Sequence, residues 1–273
     1  MTKVSVSVIM AEYNTNTDDL KTAIKSILDQ TYRDFEFIIV DDGGKNDLGV
    51  IKKKLGNDKR IRIIKNPCNK GFVYSLNNAI AHANGEYLVR MDTDDISEKD
   101  RIKELYNYIK KHPEYSVVSS LAIEFSGSKS FGAIGSSGEK TKREIMRGDV
   151  PIHAAAIMKK SDIQQIGGYK NYNRAEDLAL WCDLLLAEKK MYMLNSALYL
   201  YRVNQNDYKK RTLRYRGGEI KARLHYYPLL GAGVTEYMRI VKSILAGLAP
   251  VWFIRTYRNR KLKKIQTGET HNV

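Results

Sequence analysis

The stretch EYLVRMDTDDIS, from Glu86 to Ser97, decides the fold. Its apolar run, Tyr87-Leu88-Val89, is followed by three aspartates within four positions, Asp92, Asp94 and Asp95. A short apolar run bounded by polar residues is typical of a buried strand. The aspartates would then stand at the carboxyl end of that strand, although the chain carries a net charge of +15.

Composition favours a folded protein of the reducing cytoplasm. The chain has 273 residues, of which 43% are hydrophobic, enough for one large domain with its own core. Cys68 and Cys182 provide neither a disulfide framework nor a zinc-binding spacing. The amino-terminal MTKVSVSVIM lacks the features of a cleavable signal peptide, and its alternating valines predict a strand.

Strands and helices alternate along the first half of the chain. Apolar runs predict strands at Val4–Met10, Phe35–Val40 and Ile61–Ile64, each followed by a helical pattern. This order predicts a mostly parallel sheet covered on both faces. Polar clusters follow three of the strands, at 11–14, 41–42 and 92–95. In such sheets ligands bind beyond the carboxyl ends of the strands, so we expect the three clusters to share one binding edge.

The second half continues the pattern with less regularity. Ser97 and Asp100 form a Ser-x-x-Asp sequence that predicts a helix capped by Ser97. The Gly/Ser-rich segment Ser126–Lys140 predicts a mobile loop. Further strands are predicted at Tyr115–Leu121 and His153–Lys159, and an apolar helix is predicted to open at Glu176-Asp177. The stretch Tyr199–Asn204 ends the predicted catalytic body.

Two acidic clusters point to chemistry. Asp92 and Asp94 are short, hard oxygen ligands that suit Mg²⁺ or Mn²⁺, cations that also bind substrate phosphates. Glu176 and Asp177 form a second acidic pair at the predicted start of a helix, and the charge of Glu176 is expected to raise the pKa of Asp177. The alternatives are a solvated turn in which Asp95 caps the next helix, and an acidic pair favoured by a helix dipole.

The ordered motifs carry a family resemblance. The stretches VSVIMAEYN, FEFIIVDDGG, NKGFVYSLNNAIAHANGEYLVRMDTDD, HAAAIMKKSDIQQIGGY, EDLALW and YRVN resemble glycosyltransferase family 2 over residues 4–204. Within that family they are most similar to bacterial exopolysaccharide (amylovoran-type) and capsule enzymes. The resemblance implies a GT-A fold, a nucleotide-sugar donor and a metal-binding Asp-x-Asp.

The resemblance also implies roles for individual residues. In the family pattern, the uridine would be held by Ala11, Tyr13, Asp41 and Asp42, and Lys70 and Gly71 would lie along the nucleotide. Asp92 would contact the ribose or the metal region, and Asp94 would bind the metal. Asp177 would be the general base, and Glu176 would orient the acceptor or the base. Two positions depart from the family pattern. Glu12 stands where a proline or small residue is usual, and Gly44 stands where serine often follows Asp-Asp-Gly.

His153 and Arg202 are further candidates. Relatives often carry a histidine at the position of His153, near the metal and the donor phosphates; the alternative is a structural histidine. Arg202, in YRVN, matches the forked geometry of phosphate oxygens and would clamp the departing diphosphate.

The carboxyl-terminal quarter is strongly basic. From Tyr201 to Val273 there are 16 Lys/Arg against 4 Asp/Glu. The apolar run Ile244–Ile254 has 11 residues, too few to cross a bilayer, and suits a helix lying on an anionic membrane surface. The alternatives are packing on the body and a contact between two copies of the chain. The charge is not accompanied by a nucleic-acid-binding motif, and we expect no nucleic-acid partner.

Together these features predict an α/β protein with a GT-A mixed sheet flanked by helices and a basic helical extension. We expect a nucleotide-sugar half at residues 1–95, an acceptor half at 96–205 and the extension at 206–273. The expected activity is metal-dependent, inverting transfer of a hexose from a UDP-sugar to a lipid-linked glycan in cell-surface polysaccharide synthesis, at the inner face of the membrane. The alternative is a non-catalytic sugar-nucleotide or membrane-binding module with the same fold.

Overall fold

A computed structural model describes residues 4–203 and 213–247. Ten strands form one mixed sheet in the order β3-β2-β1-β4-β9-β6-β10-β5, with β7 beside β6 and β8 beside β10. The strands are β1 Val6–Glu12, β2 Phe35–Asp41, β3 Ile61–Lys65, β4 Tyr87–Arg90, β5 Ile96–Ser97, β6 Tyr115–Ser126, β7 Lys129–Ile134, β8 Gly138–Glu139, β9 Ile157–Lys159 and β10 Lys190–Arg202.

Helices cover both faces of this sheet. They are α1 Thr17–Leu28, α2 Leu48–Lys54, α3 Phe72–His82, α4 Arg101–Lys111, α5 Lys142–Met146, α6 Lys160–Gln165, α7 Glu176–Leu186, α8 Leu213–Leu229 and α9 Val234–Gly247, with a 3-10 turn at His153–Ala155. Apolar side chains of α1, α2 and α4 fill one face, and those of α3 and α7 fill the other together with α8 and α9. Trp181 of α7 lies fully inside this second core.

The strand directions place several carboxyl ends at one edge. Strands β3, β2, β1 and β4 are mutually parallel. Strand β9 runs antiparallel to both β4 and β6, and β10 is parallel to β6. The carboxyl ends of β1, β2, β4, β6 and β10 therefore meet at the same edge, as the polar clusters predict.

Two local predictions are wrong. Ser97 does not cap α4: it lies in β5, and its Oγ accepts a hydrogen bond from Arg101 Nε at 2.8 Å. The cap comes instead from a distant residue, because Gln30 Oε1 accepts from the Ile102 backbone N–H at 3.0 Å. Segment 126–140 is not a mobile loop either, since β7 pairs with β6 and β8 pairs with β10.

Candidate active site

A large cavity opens at the carboxyl edge of the sheet. Its volume is about 1110 Å³. A smaller pocket of about 130 Å³ adjoins it, and Gly71 and Phe72 line both. Residues from both halves of the sheet line the large cavity, so a ligand there contacts both.

The structure brings together almost all residues predicted from the sequence. Lining the large cavity are Lys70, Gly71, Asp92, Asp94, His153, Glu176, Asp177 and Arg202. Lining the small pocket are Ala11, Tyr13, Asp42 and Gly71. Asp41 lines neither, and its Oδ1 accepts from the Gly43 backbone N–H at 3.1 Å, which shapes the turn after β2.

A buried arginine holds the first aspartate of the acidic turn. The Arg90 side chain is 1% exposed, and its guanidinium donates to Asp92 Oδ1 and to the Met91 carbonyl. It also lies 5.0 Å from the centre of the Phe72 ring. A buried guanidinium needs a carboxylate partner, so Arg90 and Asp92 fix each other at the cavity wall.

Arg202 holds the other end of the turn. Its Nε donates to the Asp94 carbonyl at 2.6 Å, its Nη2 pairs with Asp19 at 3.1 Å, and its backbone N–H donates to Asp95 Oδ1 at 2.7 Å. Asp95 is almost fully buried, which raises its pKa well above the usual value, and nearby Asp92 raises it further. Arg202 was predicted to bind the departing diphosphate, but in the structure its side chain and backbone hold this turn and Asp19.

Asp42 supports the loop ahead of α3. Its Oδ1 accepts from the Lys70 backbone N–H at 2.8 Å and from Asn66 Nδ2 at 2.7 Å, and its Oδ2 accepts from the Gly71 N–H at 2.9 Å. These bonds fix Lys70 and Gly71 at the mouth between the two pockets. The predicted contact of Asp42 with the uracil would have to be made in addition to them.

The two departures from the family pattern are coupled. Glu12 is fully buried, and its Oε1 accepts from the Thr15 N–H at 3.0 Å and from Asn46 Nδ2 at 2.8 Å. A Cβ at Gly44 would lie 3.0 Å from Glu12 Oε2 and 2.8 Å from the Asn14 backbone nitrogen. Glycine at 44 therefore makes room for the glutamate at 12.

His153 lies beside a cation and a tyrosine. Its Nε2 is 2.6 Å from the Tyr169 hydroxyl, and its ring meets that of Trp181 edge-on at 5.9 Å. Burial lowers the pKa of His153 well below its usual value, and the charge of Arg90 lowers it further. The imidazole is therefore neutral, and binding a metal through Nε2 would break the bond to Tyr169.

Asp177 is suited to take up a proton. It stands in the first turn of α7, where its Oδ1 accepts from the Leu178 N–H at 2.7 Å. Burial raises the pKa of Asp177 to about 6, with further contributions from Glu176 and from Glu219 of α8. A carboxylate with that pKa is mostly ionised at neutral pH yet binds a proton readily.

The acidic turn fits a divalent cation in part. Within the described ranges 4–203 and 213–247, no group of three or more His, Cys, Asp or Glu side chains is arranged around a common ion position. Asp92 and Asp94 both line the cavity, but Arg90 occupies one oxygen of Asp92. Two hard carboxylates suit Mg²⁺ or Mn²⁺ when phosphate oxygens and water complete the coordination.

Arg90 and Tyr169 also line the cavity, although no sequence motif singled them out. Arg90 carried a signal, because it is the charged residue of the otherwise apolar strand β4. Its role depends on burial, which follows from the neighbouring strands and from Phe72 rather than from local sequence. Tyr169 follows a Gly-Gly pair, which predicts a turn but not a side chain directed at His153.

Comparison with known proteins identifies the family. The sequence model described as "Glycosyl transferase family 2" matches residues 7–166, more than half of the chain. The chain belongs to glycosyltransferase family 2. It is therefore a glycosyltransferase that uses a sugar nucleotide.

Individual relatives extend the similarity over the whole chain. A putative glycosyltransferase, EpsE of Bacillus subtilis, is 29% identical over 271 residues and covers 96% of each chain. A mannosyltransferase of Pyrobaculum calidifontis, solved with GDP-Man and Mn²⁺, superimposes with a TM-score of 0.68 at 14% identity, over 96% of this chain and 82% of its own. Staphylococcus aureus TarS residues 1–349, solved with UDP-GlcNAc, superimposes with a TM-score of 0.67 at 18% identity. The match covers 89% of this chain and 71% of the TarS chain. The predicted GT-A fold is confirmed.

The pKa of Asp177 provides a direct test of the site's electrostatics. In a ¹³C NMR titration of side-chain carboxyls, we expect the Asp177 signal, assigned by its loss in Asp177→Asn, to have a midpoint near 6. Glu176→Gln removes a like charge and should move this midpoint to lower pH. Glu188→Gln, an exposed residue beyond the far end of α7, should leave it unchanged. A midpoint near 4 in the unmodified protein would contradict the burial of Asp177.

Proposed function

We propose that the chain is an inverting, metal-dependent hexosyltransferase that uses a UDP-sugar donor and a glycan hydroxyl as acceptor. One observation carries the proposal: Asp92 and Asp94 line the same cavity as Asp177, and the small pocket beside Lys70 and Gly71 adjoins it. A glycosyltransferase site of this kind needs carboxylates that hold a cation at the diphosphate. It also needs a separate carboxylate that takes the proton of the acceptor hydroxyl.

The reaction assigns a separate task to each group. The acceptor oxygen attacks the anomeric carbon as the bond from that carbon to the diphosphate oxygen breaks, so the configuration inverts. Asp177 takes the acceptor proton while the new bond forms. The leaving UDP carries away the electron pair, and the positive charges of Lys70 and Arg202 at the cavity wall favour its departure.

A divalent cation fits the other side of the cavity. Asp92 and Asp94 would hold it, and when bound it would neutralise charge on the diphosphate. The Mn²⁺ in the mannosyltransferase complex supports this assignment for the fold. His153 remains a candidate third ligand, in competition with its bond to Tyr169.

The uracil of the proposed donor is assigned to the small pocket, which has a volume of about 130 Å³ and shares Gly71 and Phe72 with the large cavity. Ala11 and Tyr13 line it from the end of β1, and Asp42 lines it from the end of β2. The UDP-GlcNAc complex of TarS supports the same donor class.

Paired substitutions test the two carboxylate roles. Asp177→Asn should lower kcat by roughly 10²–10⁴-fold while leaving UDP affinity near that of the unmodified protein, because the base acts on the acceptor. Asp94→Asn should instead weaken Mn²⁺-dependent UDP binding. Asp100→Asn, an exposed carboxylate outside the cavity, is the control and should change neither quantity.

The assay uses a panel of UDP- and GDP-hexoses with and without Mn²⁺. Full transfer activity in both Asp177→Asn and Asp94→Asn would overturn the proposed roles. Metal-dependent UDP binding without hydrolysis or transfer for any donor would favour the alternative, a non-catalytic binding module. Tight, salt-dependent binding of nucleic acid without UDP binding would instead favour a nucleic-acid-binding protein.

The carboxyl-terminal helices present a second surface. Val234, Tyr237, Met238 and Val241 recur at helical spacing on α9 and are exposed, Val234 to 79% and Met238 to 61%. The opposite side of α9, with Ile240, faces the protein core. Exposed apolar stripes of this kind mark a partner surface.

We propose that this stripe lies on an anionic membrane at the cytoplasmic face. Arg239 and Lys242 are exposed on the same helix, and the sequence after residue 247 adds six Arg/Lys residues. Apolar residues flanked by cations suit the boundary between acyl chains and acidic headgroups. None of the helices within residues 4–203 and 213–247 has an apolar stretch of the length that spans a bilayer. Most of the apolar run Ile244–Ile254 lies outside the described residues. A membrane position would bring a lipid-linked cell-surface glycan to the cavity.

Vesicle sedimentation tests the membrane surface. The triple variant Val234→Ser, Met238→Ser, Val241→Ser should lose most of its binding to phosphatidylglycerol vesicles, because the stripe no longer enters the acyl boundary. Val50→Ser, an exposed valine on α2, is the control and should bind normally. Undiminished binding by the triple variant would exclude the surface. A change from dimer to monomer instead would assign it to a contact between two copies.

A further inference from the structure

Helix α8 approaches the segment ahead of the proposed base unusually closely. A Cβ placed on Gly218 would lie 1.7 Å from the Tyr172 carbonyl oxygen and 2.2 Å from that of Asn173. Real side chains do not make contacts this short, so glycine is required at this crossing. A Cβ on the preceding residue, Gly217, would meet no atom within 4 Å.

The segment that α8 contacts has a strained backbone. Asn173 and Arg174 both have positive φ values, 47° and 75°. Two consecutive non-glycine residues in this region are uncommon and persist when their surroundings hold them. Both residues line the large cavity together with Asn171, and Glu176 and Asp177 follow at once. The strained segment therefore forms the wall of the cavity next to the base.

Side chains anchor α8 to the same region. The Tyr172 ring lies 5.6 Å from the ring of Tyr226. The Tyr226 hydroxyl donates to Asp183 Oδ2 at 2.9 Å, and Lys170 Nζ donates to Asp183 Oδ1, also at 2.9 Å. Asp183 of α7 thus joins α8 to the start of the strained segment.

We infer that α8 is a positioning element for the acceptor side of the site: it holds segment 170–175, and through it Asp177, by the close backbone contact at Gly218. The inference rests on the proposed role of Asp177 as base. The negative charge of Glu219, the next residue of α8, raises the pKa of Asp177, as expected for two carboxylates in the same region. Helix α8 would then position the acceptor side of the site through this contact.

A matched pair of glycine variants tests the inference in the full-length protein. Gly218→Ala should displace segment 170–175 and lower kcat by about 10- to 100-fold, the scale expected for a misplacement of about 1 Å. The acceptor KM should rise, while the Kd of UDP with Mn²⁺ stays within about twofold of the unmodified value, because the donor side is not contacted. Gly217→Ala should retain full activity.

Hydrogen exchange provides a readout besides activity. In Gly218→Ala, deuterium uptake should increase in peptides covering 170–178 and stay unchanged in those covering 86–97. Gly218→Ala kinetics equal to those of Gly217→Ala would overturn the inference. Equal losses of UDP affinity and kcat would also overturn it, because they indicate general damage.

Two further variants separate the possible failures. If Gly218→Ala does not fold, Tyr226→Phe, which removes the hydrogen bond to Asp183, should lower kcat with UDP affinity unchanged; unaltered kcat would overturn the inference. If Asp177→Asn is fully active, the proposed base is wrong. If Asp177→Asn is inactive but Gly218→Ala keeps the kcat of the unmodified protein, only the proposed positioning role of α8 is wrong.

Discussion

Charge compensation in the turn Asp92–Asp95 is the constraint on which the site depends. Three carboxylates within four residues repel one another, and burial adds to the cost for Asp95. Arg90 pairs with the Asp92 carboxylate from inside the sheet. The Arg202 side chain donates to the Asp94 carbonyl, and its backbone N–H donates to the Asp95 carboxylate. The arrangement explains why a basic chain concentrates acid here: the cations fix the turn in a shape that presents Asp92 and Asp94 to the cavity.

The two acidic clusters differ in environment, and this difference separates their tasks. Asp92 is paired with a cation and is suited to hold positive charge. Asp177 lies partly buried beside Glu176 and within reach of Glu219, so its pKa rises to about 6. Because Asp92 is paired with a cation and Asp177 has a raised pKa, the two carboxylates can divide cation binding from proton transfer. The close contact between α8 and segment 170–175 then links the second task to the carboxyl-terminal helices.

The sequence predicted the sheet edge well because apolar runs ending in polar clusters are local signals, and β1, β2 and β4 all follow this pattern. Features set by distant contacts were missed. The cap of α4 comes from Gln30, about 70 positions away, and the Gly/Ser-rich stretch becomes strands by pairing with β6 and β10. Arg90 stands out as the charged residue of an apolar strand, but its role depends on burial. The role of Gly218 depends on the close contact of α8 with Tyr172 and Asn173, which local sequence does not reveal.

The most direct test is a crystal structure of the protein with UDP and Mn²⁺. We expect an anomalous manganese peak about 2.1 Å from carboxylate oxygens of Asp92 or Asp94 and from the diphosphate, with uracil in the small pocket beside Gly71. UDP and manganese bound elsewhere, with the cavity at the end of β4 empty, would contradict it.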